Sequence, residues 1–101
     1  MIIYSVTVSL HRSTEAEWLE YMRSEHIPDV MAAGYFGSHR MLRLLAPEPE
    51  DETVTLNIQY TCESMGRLQA YLELAAPALQ AAHMERFKDR FVAFRTVLEE
   101  L

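Results

Sequence analysis

An α+β fold of order βαββαβ, a four-stranded antiparallel sheet with two helices on one face, is predicted by three features of the sequence. Four short runs are rich in alternating or β-branched apolar residues, and two longer runs repeat apolar residues at threes and fours. The two kinds follow one another as strand, helix, strand, strand, helix, strand, one of the compact ferredoxin-like arrangements. No repeat, linker or low-complexity segment interrupts the order, so residues 1–101 read as a single domain.

The first strand runs from Ile2 to Leu10, where Ile2, Tyr4, Val6, Val8 and Leu10 alternate with Ser5, Thr7 and Ser9. That is the period of a strand with one buried face. Thr14 with Glu17 three residues on forms a capping-box signature that predicts a helix start. The helix is expected to run to about Ala33 and to end at Gly34 in the left-handed region. "SHRMLRLLA" (38–46) reads as the second strand, without clean alternation, and the Pro47 and Pro49 loop closes it.

"TVTLNIQYT" (53–61) alternates Val54, Leu56, Ile58 and Tyr60 with Thr55, Asn57 and Gln59, which makes it the third strand. Ser64 is placed to cap a second helix whose stripe is Met65, Leu68, Leu72, Ala75, Ala76 and Leu79. "RFVAFRTVL" (90–98), aromatic and β-branched, is the fourth strand.

Composition narrows the function classes. Half of the residues are hydrophobic and 24% are charged, the balance of a chain that folds without help. Nine Lys and Arg against fifteen Asp and Glu leave a net charge of −6, so no basic field exists to attract nucleic acid or an acidic membrane. The acidic residues gather in "APEPEDET" and "LEEL", which read as a solvated loop and tail. Cys62 stands alone, which excludes an internal disulfide or a CxxC motif and makes a cytoplasmic setting the expectation. The alternating N-terminal run reads as a strand, not as an export signal.

Inside "EHIPDVMAAGYF" a histidine stands two residues before a proline. At about 100° per residue from Trp18, Met22 falls near 40°, His26 near 80° and Val30 near 120°, whereas Pro28 falls near 280°. His26 therefore faces the core and Pro28 faces water. Pro28 either bends the helix on its solvent side or starts a final turn after a break at Ile27. The second helix repeats the arrangement: with Leu68 at zero, His83 lies inside the apolar stripe and Pro77 near 180°. A histidine on such a stripe is either a packed ring with one hydrogen bond or a chemical group beside a pocket.

The other face of the sheet is expected to carry Ser5, Thr7, Ser9, Thr55, Asn57 and Gln59. Assigning Val92, Phe94 and Leu98 to the core sends Arg95 to that polar face as well. Such a face is wet, meets a second copy, or lines a cavity for a small polar or anionic ligand through Asn57, Gln59, Arg95 and His39 or Arg43. No GxGxxG, P-loop, HExxH or GxSxG occurs, so nucleotide binding, zinc proteolysis and α/β-hydrolase chemistry have no support. Glu25, His26 and Asp29 are too nonspecific a set to predict a metal.

With "MIIYSVTV", Glu17 and Trp18, "EHIPDVMAAGYF" and "RFKDRFVAFRTVLE" in view, the whole chain resembles a small bacterial family described only as a domain of unknown function. "HIPDV" and "FVAFRT" are the most specific segments. The resemblance implies a ferredoxin-like domain of the dimeric α+β barrel superfamily, in which two sheets pair with helices outside. That superfamily includes cofactor-independent monooxygenases, haem-degrading enzymes and muconolactone isomerase-like proteins, several with a helical histidine in a similar H-x-P context. The haem-degrading pattern is not matched, since Ser5 and Thr7 stand where an asparagine is wanted and the third strand has no tryptophan.

Two readings from different classes follow. In one, a homodimer binds a small organic molecule without a cofactor, in a pocket lined by Trp18, Met22, His26 and His83. Acting as an isomerase-like or cofactor-independent monooxygenase-like enzyme, it would use His26 as general base, with Arg95 or Asn57 stabilising an enolate-like product only if the pocket reaches through to their face. In the other, the chain is a structural or interaction module and the histidines only pack.

Overall fold

A computed structural model describes residues 1–101. Its strands β1 (Ile2–His11), β2 (Ser38–Arg43), β3 (Thr53–Cys62) and β4 (Phe91–Glu99) form one sheet in the order β2-β3-β1-β4. Every neighbouring pair is antiparallel. This is the ferredoxin-like α+β fold, with helices α1 (Glu15–Tyr21), α2 (Ile27–Ala32), α3 (Met65–Leu74) and α4 (Ala76–Phe87) against one face. No helix is long and apolar enough to cross a membrane.

The alternation in β1 and β3 does what its period requires. Tyr4, Val8 and Leu10 from β1 and Val54, Leu56, Ile58 and Tyr60 from β3 are buried under the helices. Trp18, Leu68 and Phe87 come down onto them with no exposed surface at all. Each such side chain contributes roughly 1.5–3 kcal/mol by leaving water, so the joint between helices and sheet is the main source of stability.

Both helical stretches are interrupted beside their prolines. A π-helical turn, Met22–His26, separates α1 from α2, and the Ile27 amide donates to the Met22 carbonyl across it. Pro28 then stands in the first turn of α2, where a missing N–H costs least. Ser24 Oγ donates to the Glu20 carbonyl at 2.7 Å, which further loosens the ladder at this point. Likewise α3 ends at Ala75 and Pro77 opens α4. Both prolines are exposed, as their angular positions predict.

Gly34 ends α2 with φ of 86°. Ser64 caps α3, its Oγ accepting from the Arg67 amide at 3.1 Å. The expected capping box does not form. Thr14 is helical and makes no cap; the chain enters through a tight turn, Arg12–Thr14, where His11 Nδ1 accepts from the Ser13 amide. Glu17 is drawn away to a bidentate pairing with Arg90 at 3.0 and 3.2 Å.

The largest departure from expectation lies in β4. Its register sets Phe91, Ala93 and Arg95 opposite Leu10, Val8 and Val6, and Val92, Phe94 and Leu98 opposite Ser9, Thr7 and Ile3. Directly opposed residues share a face, so Arg95 lies on the helix side and Val92, Phe94 and Leu98 on the outer side. Both alternating sets of β4 are largely apolar, which leaves its facing to be set by pairing with β1. The same logic settles β2: His39 and Arg43 sit opposite Tyr60 and Leu56 on the helix side, Arg40 and Leu42 on the outer side. Arg95 and Arg43 therefore do not share a face with Asn57 and Gln59, whereas an open recess at the outer side does bring His39 to Gln59.

Candidate functional site

Between the helices and the β1–β4 half of the sheet a cleft opens. Its free space is about 470 Å³ counted out to the open mouth, and the centre of a water-sized sphere can move through about 40 Å³ of it. Tyr4, Trp18, Met22, His26, His83 and Arg95 line it, together with Gln80 and a surround of apolar strand residues. Thus the structure brings together Trp18, Met22, His26, His83 and Arg95. It does not bring Asn57, which stands on the outer face and donates from Nδ2 to Ser5 Oγ at 2.8 Å and Thr7 Oγ1 at 3.0 Å. The expectation that Asn57 reaches the pocket fails because β3 keeps strict alternation, and Asn57 falls between buried Leu56 and Ile58.

The two histidines have different environments. Trp18 Nε1–H donates to His83 Nε2 at 2.9 Å, deep in the core. An accepting Nε2 fixes the ring proton on Nδ1, so His83 is held as one neutral tautomer. Burial, then the neighbouring His26 and then Arg95, push its pKa down to about 4. Phe91 lies edge-on to the ring at 4.5 Å and His26 at 5.5 Å.

His26 comes from the π-helical turn, a feature that recurs at functional sites because it re-aims one side chain without ending the helix. Its ring is half-buried, has no hydrogen-bond partner in the protein, and its nitrogens are not sealed from solvent. Desolvation lowers its pKa; Asp29 opposes that shift and Arg95 adds to it. Both imidazoles are therefore neutral near pH 7.

Tyr4 was legible only as a core residue, yet its hydroxyl is a polar group of this cleft. The side chain is 3% exposed, and the hydroxyl is the one buried side-chain polar atom in the protein without a hydrogen-bond partner. Burial raises its pKa, while Arg95 and Gln80 nearby pull it down. The signal in the sequence is that a buried tyrosine usually finds a partner for its hydroxyl. No group of three or more His, Cys, Asp or Glu side chains is placed to hold a metal.

A family model matches residues 1–101. The chain belongs to the family described as a domain of unknown function, DUF4286. No curated protein matches it. Among solved structures, MhuD crystallised with two manganese protoporphyrin IX molecules per active site is 18% identical, with a TM-score of 0.72 over 100% of this chain and 95% of that one. SnoaB, a cofactor-independent oxygenase from Streptomyces nogalater, is 12% identical, with a TM-score of 0.62 over 98% and 92%. A dimeric ferredoxin-like protein from an uncultured marine organism is 11% identical, with a TM-score of 0.55 over 99% and 98%. At these identities the likeness is one of fold, and the DUF4286 chain's chemistry must be argued from its own cleft.

Proposed function

We propose that the cleft binds a small organic molecule against His26, and that His26 acts on it as a general base. One observation carries this reading: a neutral imidazole, free of protein partners, stands on the wall of an open and otherwise mostly apolar cleft. A packed structural ring would have its nitrogens satisfied by backbone and no space beside it. A base near neutral pH needs the opposite. Trp18 and Met22 form the inner wall, and His83, locked by Trp18, holds that wall in place.

The reaction best suited to these groups is proton transfer next to a carbonyl. His26 takes the proton from the acidic carbon, the C–H electron pair moves onto the carbonyl oxygen, and an enolate forms beside Arg95. Returning the proton at another carbon completes an isomerisation with no cofactor consumed. The neighbours' fold, which SnoaB uses without a cofactor, is compatible with such chemistry.

The assembly proposed is a homodimer in which two outer sheet faces meet as an α+β barrel. Val92, Phe94 and Leu98 are 72%, 59% and 47% exposed on that face, an apolar area that a second copy would cover. A reducing, cytoplasmic setting suits the single buried thiol of Cys62.

The test is a thermal-shift survey of small carbonyl compounds and organic acids. A true ligand raises the melting temperature by mass action, and the rise is expected to vanish in His26→Ala with the circular dichroism spectrum unchanged. Absence of any shift across the survey, or an undiminished shift in H26A, refutes the reading.

A further inference from the structure

The cleft carries one formal charge on its lining and it is positive. Arg95 pairs with no carboxylate and lies beside the Tyr4 hydroxyl, whereas Arg43, Arg86 and Arg90 are each paired with a glutamate. No carboxylate lines the cleft, and both histidines beside Arg95 are neutral. In a chain of net charge −6, a guanidinium at the edge of a mostly apolar cleft with no carboxylate on its lining is a local exception. Arg95 is an exposed residue at the edge of the cleft, so its charge is hydrated there and is free to meet an anion entering from solvent.

Beside it stands the Tyr4 hydroxyl, buried and without a partner. A phenolic O–H can donate and a guanidinium can only donate, so both present hydrogens to the same space. The complement is an acceptor with two oxygens and a negative charge, the geometry in which an Arg fork bonds most strongly. Aromatic side chains, Trp18, Tyr71 and Phe91 among them, form the walls.

We propose that the ligand of this cleft is a small planar carboxylic acid, bound as its anion, with the carboxylate between Arg95 and the Tyr4 hydroxyl and the conjugated or aromatic body against Trp18. This deepens the proposed function and rests on it, since the same cleft must bind small molecules at all. Arg95 then acts as the residue that selects charge, and Tyr4 as the one that sets the orientation of the head group toward His26.

Benzoate and benzamide, equal in shape and different in charge, separate the possibilities. Trp18 is the only tryptophan and lines the cleft, so its fluorescence reports occupancy directly. The wild-type chain is expected to bind benzoate about tenfold more tightly than benzamide, the range of a charge-assisted pair. Arg95→Met should abolish that preference by weakening benzoate far more than benzamide, while Arg95→Lys should restore part of it. Tyr4→Phe should weaken benzoate severalfold with little change in melting temperature, because the hydroxyl it removes makes no well-formed hydrogen bond in the protein.

Benzamide binding as tightly as benzoate, or a preference that survives in R95M, overturns the inference while the cleft remains a binding site. If neither probe perturbs Trp18 but other compounds raise the melting temperature through His26, the inference also falls alone. If nothing binds, the inference and the proposed function fall together.

Discussion

Acidification should destabilise this protein before its carboxylates protonate, and the reason is His83. In the folded chain its pKa lies at about 4, against an ordinary value of 6.5. Between those values the unfolded chain binds a proton that the folded chain refuses, so stability rises with pH and falls as acid is added through the window below 6.5. Going from about pH 8 to about pH 5, the His83 contribution alone removes roughly 2 kcal/mol, from the ratio of protonation in the two states.

The bond to Trp18 gives that loss a structural cause. A protonated His83 has hydrogen on both nitrogens, so Nε2 can no longer accept from the indole N–H and a fully buried donor is left unpaired. His26, also shifted downward, adds to the loss in the same direction. Urea titration followed by circular dichroism at fixed protein concentration measures it. For a slope of about 1–2 kcal/mol per molar, the midpoint should fall by about 1–2 M over that range. His83→Gln can still accept from Trp18 and does not titrate, so its midpoint should change far less. A wild-type midpoint that is flat or higher at the acid end refutes the assignment of a neutral, hydrogen-bonded His83.

Two further outcomes are expected. Ser64→Ala removes the oxygen that accepts from the Arg67 amide at the start of α3, and should cost about 1 kcal/mol in denaturant unfolding with no effect on cleft binding. Phe94→Lys places a charge in the middle of the outer sheet face, and sedimentation should show a dimer for the wild-type chain and a monomer for the variant; a wild-type monomer removes the barrel.

How much was legible follows the physics of each element. β1 and β3 were read with their faces correct because one face is apolar and the other carries hydroxyls and amides, so only one register buries the right set. His26, His83 and the two prolines were placed correctly because helical angles survive small distortions. β4 was not, because Val92, Phe94 and Leu98 compete with Phe91, Ala93 and Val97, and only pairing to β1 decides between them. With it went Arg95, expected on the polar face and found in the cleft. The π-helical turn has no periodic signature beyond the nearby proline, and Tyr4 read as one more apolar strand position. The inner wall of the cleft was therefore visible in the residues, while the position of its one charged side chain depended on a long-range strand pairing.

That pairing has a kinetic side. β4 is fastened to the sheet along β1 alone, with its other edge unpaired, and Phe91, Ala93 and Arg95 form one wall of the cleft from that strand. Its partners on β1 are some eighty to ninety-seven residues away, so in folding it is a late arrival, and in the native state its local detachment costs less than global unfolding. A brief peeling of β4 would uncover His26 while β1, β3 and the helices stay in place. Molecules too large for the closed cleft then have a route in that depends on the lifetime of one strand, and a ligand held by Arg95 would in turn slow that strand's departure.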